Sequence, residues 1–268
     1  MTNSRWTAPV RDFMSEGLIA VRPETALSVV QRIFEEHDIS AVPVVDQTGG
    51  LRGILSTKDL LRAARRDLAA SEKRVALGER WASDLMSADV VTVAPSHPIG
   101  VAASRLLQHR IHRLVVTEEG RRPSGVISVF DATGAIVVAN IKTPAADVMT
   151  RQVHTIEADT PTDEAVQRLD DLNVGGLVVV DGSRPVGVFT HIEAIRAWSL
   201  PPAMRRAPVE QIMSEETICF DLSTPVDEVA RYARKMRVRR ILMVERHHMR
   251  GIVTGSDLLG VKEARAWS

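Results

Sequence analysis

This chain lacks the features that would place it outside a reducing compartment or in a membrane. Cys219 is the single cysteine among 268 residues, so no intramolecular disulfide can form, and this cysteine usage is typical of a reducing compartment. No apolar stretch approaches the roughly 20 residues that a membrane-spanning helix requires. Residues 1–9 also lack the apolar segment of a signal peptide. We therefore expect a cytoplasmic protein.

Net charge and catalytic motifs are missing as well. Lys and Arg together number 34, as do Asp and Glu, so the formal net charge is zero. Nucleic acids and anionic membranes attract strongly basic surfaces, and we expect neither as a partner. The sequence has no glycine-rich phosphate loop, nucleophile elbow or spaced set of metal ligands. We therefore expect no enzyme activity, no required cofactor and no metal site.

What the chain does contain is one pattern repeated four times. Each copy opens with a polar residue, an apolar residue and a methionine, and these methionines are Met14, Met86, Met149 and Met213. Each copy closes with a glycine, two apolar residues, a hydroxyl residue and an acid three positions later. These hydroxyl–acid pairs are Ser56 and Asp59, Ser128 and Asp131, Thr190 and Glu193, and Thr254 and Asp257. The methionine-to-glycine distance is 39 residues in two copies and 38 in the others, which indicates tandem repeats.

Each copy also predicts the same order of secondary structure. In the first copy, residues 18–21 are predicted as a short strand, and Thr25 as the N-cap of an amphipathic helix. Residues 42–45 and 53–55 are predicted as two further strands, and a closing helix begins at Asp59. The other copies follow this order, so the predicted fold class is α/β (α+β), with four β-α-β-β-α repeats.

A repeat of this size, about 60 residues, buries too little surface to be securely stable alone. We therefore expect the repeats to associate in pairs. The first pair is predicted over residues 8–140, with repeats at about 10–64 and 81–138. The second is predicted over residues 141–268, with repeats at about 145–198 and 208–262.

This register, held four times over about residues 8–262, resembles the cystathionine β-synthase (CBS) domain family. The four-repeat layout is similar to that of the gamma subunits of AMP-activated kinases. The resemblance implies two tandem pairs, each a disc with a pseudo-twofold axis and with clefts for adenosine-containing ligands. The ligand would be an adenine nucleotide such as AMP, ADP or ATP, or a molecule of the S-adenosylmethionine or NAD type. It further implies a non-catalytic sensor that regulates another, unidentified protein.

The same resemblance assigns roles to particular residues. In the first pair it implies that Ser128 and Asp131 hold the ribose, that His112 and Arg113 meet the phosphates, and that the base is framed by Met14, Ile19, Ile39, Ser40 and Ala41. In the second pair the corresponding residues are Thr254 and Asp257, then Arg239 and Arg240, then Met149, His154, Val174, Gly175 and Gly176. Ser56 and Asp59 keep the hydroxyl and acid of a further cleft, whereas Glu193 stands where the family has Asp.

Alternatives stay open for each of these features. A hydroxyl followed three residues later by an acid is also close to a capping box, which stabilises a helix start without any ligand. The repeat-opening methionines are expected to be packing residues and not a soft-metal site. An array whose clefts are empty would be an interaction scaffold.

We also expect a homodimer, because twofold association is the commonest arrangement of soluble oligomers. Trp198 and Trp267 lie in similar segments and are candidates for the covered face.

Overall fold

A computed structural model describes residues 6–15, 17–69, 80–118, 122–199, 206–215, 217–246 and 248–261, without the side chains of residues 64–69 and 198–199. The elements of the first half are α1 (Leu27–Glu36), β1 (Ala41–Val45), β2 (Leu51–Ser56), α2 (Thr57–Ala69), α3 (Ala82–Leu85), β3 (Thr92–Val93), α4 (Ile99–Gln108), β4 (Arg113–Thr117), β5 (Pro123–Ser128), α5 (Val129–Ala132) and α6 (Gly134–Ala139). Those of the second half are β6 (Thr155–Glu157), α7 (Thr162–Asp171), β7 (Gly176–Asp181), β8 (Arg184–Thr190), α8 (His191–Ser199), β9 (Cys219–Asp221), α9 (Val226–Met236), β10 (Arg240–Glu245), β11 (His248–Thr254) and α10 (Gly255–Leu259). Within these ranges no helix is long and apolar enough to cross a membrane.

The predicted order β-α-β-β-α is confirmed. In three repeats a short first strand pairs in parallel with the middle strand, which pairs antiparallel with the last strand, giving β3-β4-β5, β6-β7-β8 and β9-β10-β11. In the first repeat, β1 and β2 form the same antiparallel pair. The strand predicted over residues 18–21 is reduced there to one parallel bridge between Val21 and Val44.

The start of the first middle helix differs from the prediction by one residue. The N-cap of α1 is Ala26, and no side chain caps it. The Thr25 hydroxyl accepts a hydrogen bond from the backbone N–H of Arg22 at 2.9 Å instead. Because Pro23 forces a turn before the helix, the Thr25 hydroxyl is used in that turn and Thr25 is not the cap.

All four middle helices end in the same way. A non-glycine residue with positive φ follows each helix, and the four φ values lie between 49° and 56°, at Asp38, Arg110, Asn173 and Arg237. The next backbone N–H then bonds to a carbonyl five residues earlier, as from Ile39 to Phe34 and from Val238 to Ala233. This is the hydrogen-bond pattern of a Schellman motif. Its fourfold recurrence shows that the repeats share their backbone geometry as well as their sequence pattern.

The chain forms two compact units. Unit 1 comprises Met1–Leu18, Val90–Val153 and Thr217–Ser268, and unit 2 comprises Ile19–Asp89 and His154–Glu216. Repeats two and four therefore supply most of unit 1, and repeats one and three most of unit 2. This division differs from the boundary predicted at residues 140 and 141. Its physical cause is that helices of alternate repeats share a hydrophobic core.

Each core draws fully buried side chains from two repeats. In unit 1 the core combines Ile99, Leu106, Leu114, Ile127 and Ile136 of repeat two with apolar residues of α9, β10 and α10. In unit 2 it combines residues such as Leu27 and Leu55 of repeat one with Leu169, Leu177 and Phe189 of repeat three. Two repeats thus supply the apolar volume that one repeat lacks.

The repeat-opening methionines are packing residues, as predicted, but each packs on the glycine of a different copy. A Cβ added to Gly53 would lie 2.8 Å from Met86 Sδ, and one added to Gly251 would lie 2.7 Å from Met149 Sδ. The other two contacts of this kind join Gly125 to Met14 and Gly187 to Met213. A side chain at any of these glycines would crowd the methionine sulfur, most closely at Gly187, where it would meet Met213 Sδ.

Candidate functional site

Two of the hydroxyl–acid pairs, both in unit 1, form complete capping boxes. At the start of α5, Asp131 Oδ2 accepts hydrogen bonds from the Ser128 N–H at 2.8 Å and from the Ser128 hydroxyl at 2.7 Å. The Ser128 oxygen in turn accepts from the Asp131 N–H at 3.1 Å. Thr254 and Asp257 form the same box at the start of α10, with distances of 2.7 Å and 2.5 Å to Asp257 Oδ2. The capping interpretation is therefore correct, and it leaves one oxygen of each carboxylate for other partners.

Asp131 and Asp257 differ in the hydrogen bonding of their second carboxylate oxygen, Oδ1. Asp257 Oδ1 accepts a hydrogen bond from the Thr150 hydroxyl at 2.8 Å. Among the residues with described positions, Asp131 Oδ1 has no hydrogen-bond donor, and the Asp131 side chain is half-buried. Within the described part of the chain, Asp131 therefore presents a fixed carboxylate with one unbonded oxygen, whereas both oxygens of Asp257 accept hydrogen bonds.

Strand pairing brings the basic residues next to these boxes. Arg113 lies directly opposite Ser128 in the β4–β5 ladder, and Arg240 lies opposite Thr254 in the β10–β11 ladder. The carbonyl of His112 accepts from the backbone N–H of Val129 at 2.9 Å, which ties the segment before β4 to the first residue of α5. Unit 1 thus brings together two sets of predicted residues: Ser128, Asp131, His112 and Arg113, and Thr254, Asp257, Arg239 and Arg240.

The residues expected to frame the base are divided between the units. Met14 and Met149 belong to unit 1, and the others belong to unit 2: Ile19, Ile39, Ser40, Ala41, His154, Val174, Gly175 and Gly176. Within unit 2, Ile19, Ile39 and Val174 pack against the hydrophobic core. The backbone N–H of Thr57 donates to the carbonyl of Ser40 at 3.1 Å.

The hydroxyl–acid pairs of unit 2 lack an arginine in the position that Arg113 occupies. Asp59 Oδ2 accepts from the Ser56 N–H at 2.9 Å and from its hydroxyl at 2.6 Å, but Ala41 lies opposite Ser56. Glu193 bonds to Thr190 and is only 6% exposed. Glu193 is thus more buried than Asp131, which is half-buried, and its Oε2 is used by Thr190.

Lys58 precedes Asp59 in the sequence, but its side chain contacts repeat three. Its ammonium donates to Asn173 Oδ1 at 2.7 Å. Burial, and next the positive charge of Arg62, lower the pKa of Lys58 below its ordinary value. Lys58 therefore serves a contact between repeats one and three.

Sequence reasoning missed Thr150 and Arg234. A hydroxyl residue follows every repeat-opening methionine, at Ser15, Ser87, Thr150 and Ser214, so a recurring signal for Thr150 was present. Arg234 carries no such signal, because the corresponding residues of the other middle helices are Glu35, Leu107 and Asp170. Its contacts became visible only in the folded chain.

A cavity of about 410 Å³ lies in unit 2, and none of the predicted site residues is among its lining residues. Its lining residues are Glu157, Ala158, Asp159, Asp181, Val186, Glu210 and Met213. Four carboxylates without a lining cation would repel a phosphate group. Among the described residues no group of three or more His, Cys, Asp or Glu side chains is placed to hold a metal ion.

The chain belongs to the CBS domain family, which matches residues 10–66, 82–138, 145–199 and 209–263. This confirms the resemblance seen in the repeat pattern. An uncharacterised protein of Methanocaldococcus jannaschii is 26% identical over 269 residues, which cover 94% of this chain and 61% of that protein. The gamma-3 subunit of the 5'-AMP-activated protein kinase of Sus scrofa is 28% identical over 123 residues, 45% of this chain and 24% of that subunit. The chain thus spans less than two thirds of each of these relatives.

Solved structures show the same fold. A Methanocaldococcus jannaschii protein, described as a candidate archaeal homologue of g-AMPK, superimposes with a TM-score of 0.83 at 16% identity, covering 94% of this chain and 99% of that one. A conserved protein of Pyrococcus horikoshii superimposes with a TM-score of 0.65 at 20% identity, covering 97% of this chain and 100% of that one. At these identities the similarity concerns the four-repeat fold.

Proposed function

We propose that this protein is a non-catalytic regulatory protein that senses an adenosine-containing nucleotide through Asp131. The observation that carries the proposal is the state of this carboxylate, with Oδ2 held by Ser128 and Oδ1 without a donor among the described residues. Vicinal ribose hydroxyls donate two hydrogen bonds, and a carboxylate is a strong charge-assisted acceptor for both. Because the capping box already holds the side chain, binding costs little further conformational entropy.

Arg113 and His112 supply positive and hydrogen-bonding groups for the phosphates. Arg113 lies opposite Ser128 in the β4–β5 ladder, and a guanidinium binds phosphate oxygens in a bidentate manner. The start of α5 contributes little, since this helix has four residues and its capping box already uses the N-terminal amide of Asp131. Asp257 with Arg239 and Arg240 is the second, weaker candidate set.

The family and one relative support a nucleotide ligand. The pig protein that matches 45% of this chain is a subunit of a kinase whose name describes activation by AMP. We therefore place AMP, ADP and ATP first among the ligands, followed by S-adenosylmethionine and NAD-type molecules. The single cysteine supports our assignment to the cytoplasm.

Calorimetric titration of the purified protein with AMP, ATP and 2'-deoxy-AMP tests this proposal. We expect saturable binding of a ribonucleotide at millimolar concentration or below. Binding of the 2'-deoxy analogue is expected to be about tenfold weaker, because one hydrogen bond to a charged acceptor is lost. If none of AMP, ADP, ATP, S-adenosylmethionine or NAD binds at millimolar concentration, the protein is an interaction scaffold instead.

We further propose that the chain forms a homodimer and regulates a partner protein. Its described surface includes exposed apolar side chains on α6 and α9, at Val138, Tyr232 and Met236. The side chain of Trp198 and all of Trp267, predicted to cover such a face, lie outside the described residues. Sedimentation equilibrium is expected to give twice the chain mass of 29.4 kDa at micromolar concentration. A monomer under these conditions would contradict the dimer.

A further inference from the structure

Arg234 of α9 reaches from repeat four to the short helix that carries Asp131. Its Nη1 donates hydrogen bonds to the carbonyl of Phe130 at 3.1 Å and to the carbonyl of Asp131 at 3.0 Å. The guanidinium carbon also lies 5.9 Å from the centre of the Phe130 ring, within the range of a cation–π interaction. Arg234 therefore contacts the backbone of the proposed ribose-binding residue itself. All of these residues lie in unit 1.

Arg234 adds to the hydrogen bonds at the end of the short helix α5. The helix ends at Ala132, after four residues, and the carbonyl of Phe130 already accepts from the Thr133 N–H at 3.2 Å and from the Thr133 hydroxyl at 2.6 Å. Arg234 donates to this carbonyl and also to that of Asp131, and a cation at a helix C-terminus is electrostatically favourable. The guanidinium packs closely against Gly134, where an added Cβ would lie 3.2 Å from Arg234 Cζ and 3.1 Å from the Phe13 ring.

Unit 2 has a link at the corresponding position, but of different chemistry. Asp170 of α7 corresponds to Arg234, and its carboxylate lies 3.7 Å from Arg62 Nε of α2. Because α2 continues to Ala69, its first-turn carbonyls have helical partners and need no external donor. A side-chain hydrogen bond from the middle helix to the backbone carbonyl of the acid is thus observed at Asp131, whereas the corresponding residue near Asp59 contacts Arg62 instead.

We propose that Arg234 is a positioning residue for Asp131, through which repeat four sets the ribose affinity of the site in repeat two. The inference rests on the proposed nucleotide function. With Arg234 in place, the carboxylate is held from both ends of α5: by Ser128 at the start and by Arg234 at the end. Without it, the carbonyl of Asp131 loses the Arg234 donor, and Asp131 Oδ1 no longer keeps one position for the ribose hydroxyls.

The test compares Arg234→Met with Lys235→Met, which removes the same charge from the next, exposed residue of α9. The first readout is the ratio of the AMP and 2'-deoxy-AMP dissociation constants. We expect this ratio to fall from about tenfold in the unaltered protein to about twofold in Arg234→Met. The reason is that a carboxylate without a fixed position gains less from the ribose 2'-hydroxyl that the analogue lacks. Lys235→Met should keep the ratio, and Arg234→Lys, which retains a donor cation, should restore most of it.

The second readout needs no nucleotide. Hydrogen exchange of the amides of α5 and its C-cap, including Asp131 and Thr133, is expected to quicken in Arg234→Met and not in Lys235→Met. Unchanged exchange, or an unchanged discrimination ratio, overturns the positioning role while the nucleotide proposal stands. If the unaltered protein binds no nucleotide, the proposed function fails and the ribose role of Arg234 fails with it, whatever the exchange rates show about α5.

Discussion

Asp131→Ala is expected to weaken AMP binding on the order of a hundredfold. The reason is the loss of two hydrogen bonds from ribose hydroxyls to a charged acceptor, together worth about 3 kcal/mol. Isothermal titration calorimetry of the full chain measures this change directly. The variant should remain folded, because loss of the capping interaction costs only about 1 kcal/mol.

Asp257→Ala is the matched control, since it removes the same side chain from the same type of capping box. Its effect on AMP affinity is expected to be much smaller, because Asp257 Oδ1 is already engaged by the Thr150 hydroxyl at 2.8 Å. Both variants lose one capping box, and Asp257→Ala also loses the hydrogen bond from the Thr150 hydroxyl, so it should be the more destabilised of the two. Equal and small effects of the two substitutions on affinity would show that Asp131 does not hold the ribose.

Replacing the glycine that packs on a repeat-opening methionine by alanine is expected to destabilise the protein in all four repeats, and most where the contact is closest. These glycines do not have positive φ, so alanine suits their backbone and would otherwise stabilise the fold slightly. An added Cβ would, however, approach the backbone oxygen of the residue after the packed methionine: 2.7 Å at Gly187, 2.9 Å at Gly251, 3.0 Å at Gly53 and 3.1 Å at Gly125. Overpacking of this kind costs about 1–3 kcal/mol, with Gly187→Ala near the upper value.

The order is best tested inside each unit, because a chain with two units need not unfold in one step. Hydrogen exchange of core amides should show a larger loss for Gly187→Ala than for Gly53→Ala in unit 2. It should likewise show a larger loss for Gly251→Ala than for Gly125→Ala in unit 1. Stabilisation by any of the four substitutions, or a reversed order, would mean that the close contact does not require glycine.

Local structure was largely predictable from the residues. The period of apolar positions and the turn residues recur four times, so one correct assignment served for four repeats. The errors are confined to the first repeat, where residues 18–21 form a bridge and not a strand, and Ala26 replaces Thr25 as N-cap. Both features depend on nearby contacts of the folded chain, such as that of the Thr25 hydroxyl with Arg22, and not on residue preference.

The sequence predicted which residues form the candidate site but not which hydrogen bonds their side chains make in the folded chain. The pattern identified Asp131 and Asp257 as equivalent, because both follow a hydroxyl residue by three positions. The structure distinguishes them, since Thr150 occupies one oxygen of Asp257 while Arg234 holds the backbone beside Asp131. Thr150 lies 107 residues from Asp257 and Arg234 lies 103 residues from Asp131, so no local pattern reports either contact.

By itself, the sequence determined the number of repeats, their internal order, and the identity of the methionines, glycines and acids, because these follow from local periodicity and backbone preference. Only the tertiary structure decided which copies share a hydrophobic core. The Met14–Gly125 and Met86–Gly53 contacts join repeats one and two, which the sequence predicted to pair, whereas the cores join repeat two with repeat four and repeat one with repeat three. Four similar apolar surfaces are interchangeable in pattern, and the pairing that buries them is settled by the shape of the whole chain.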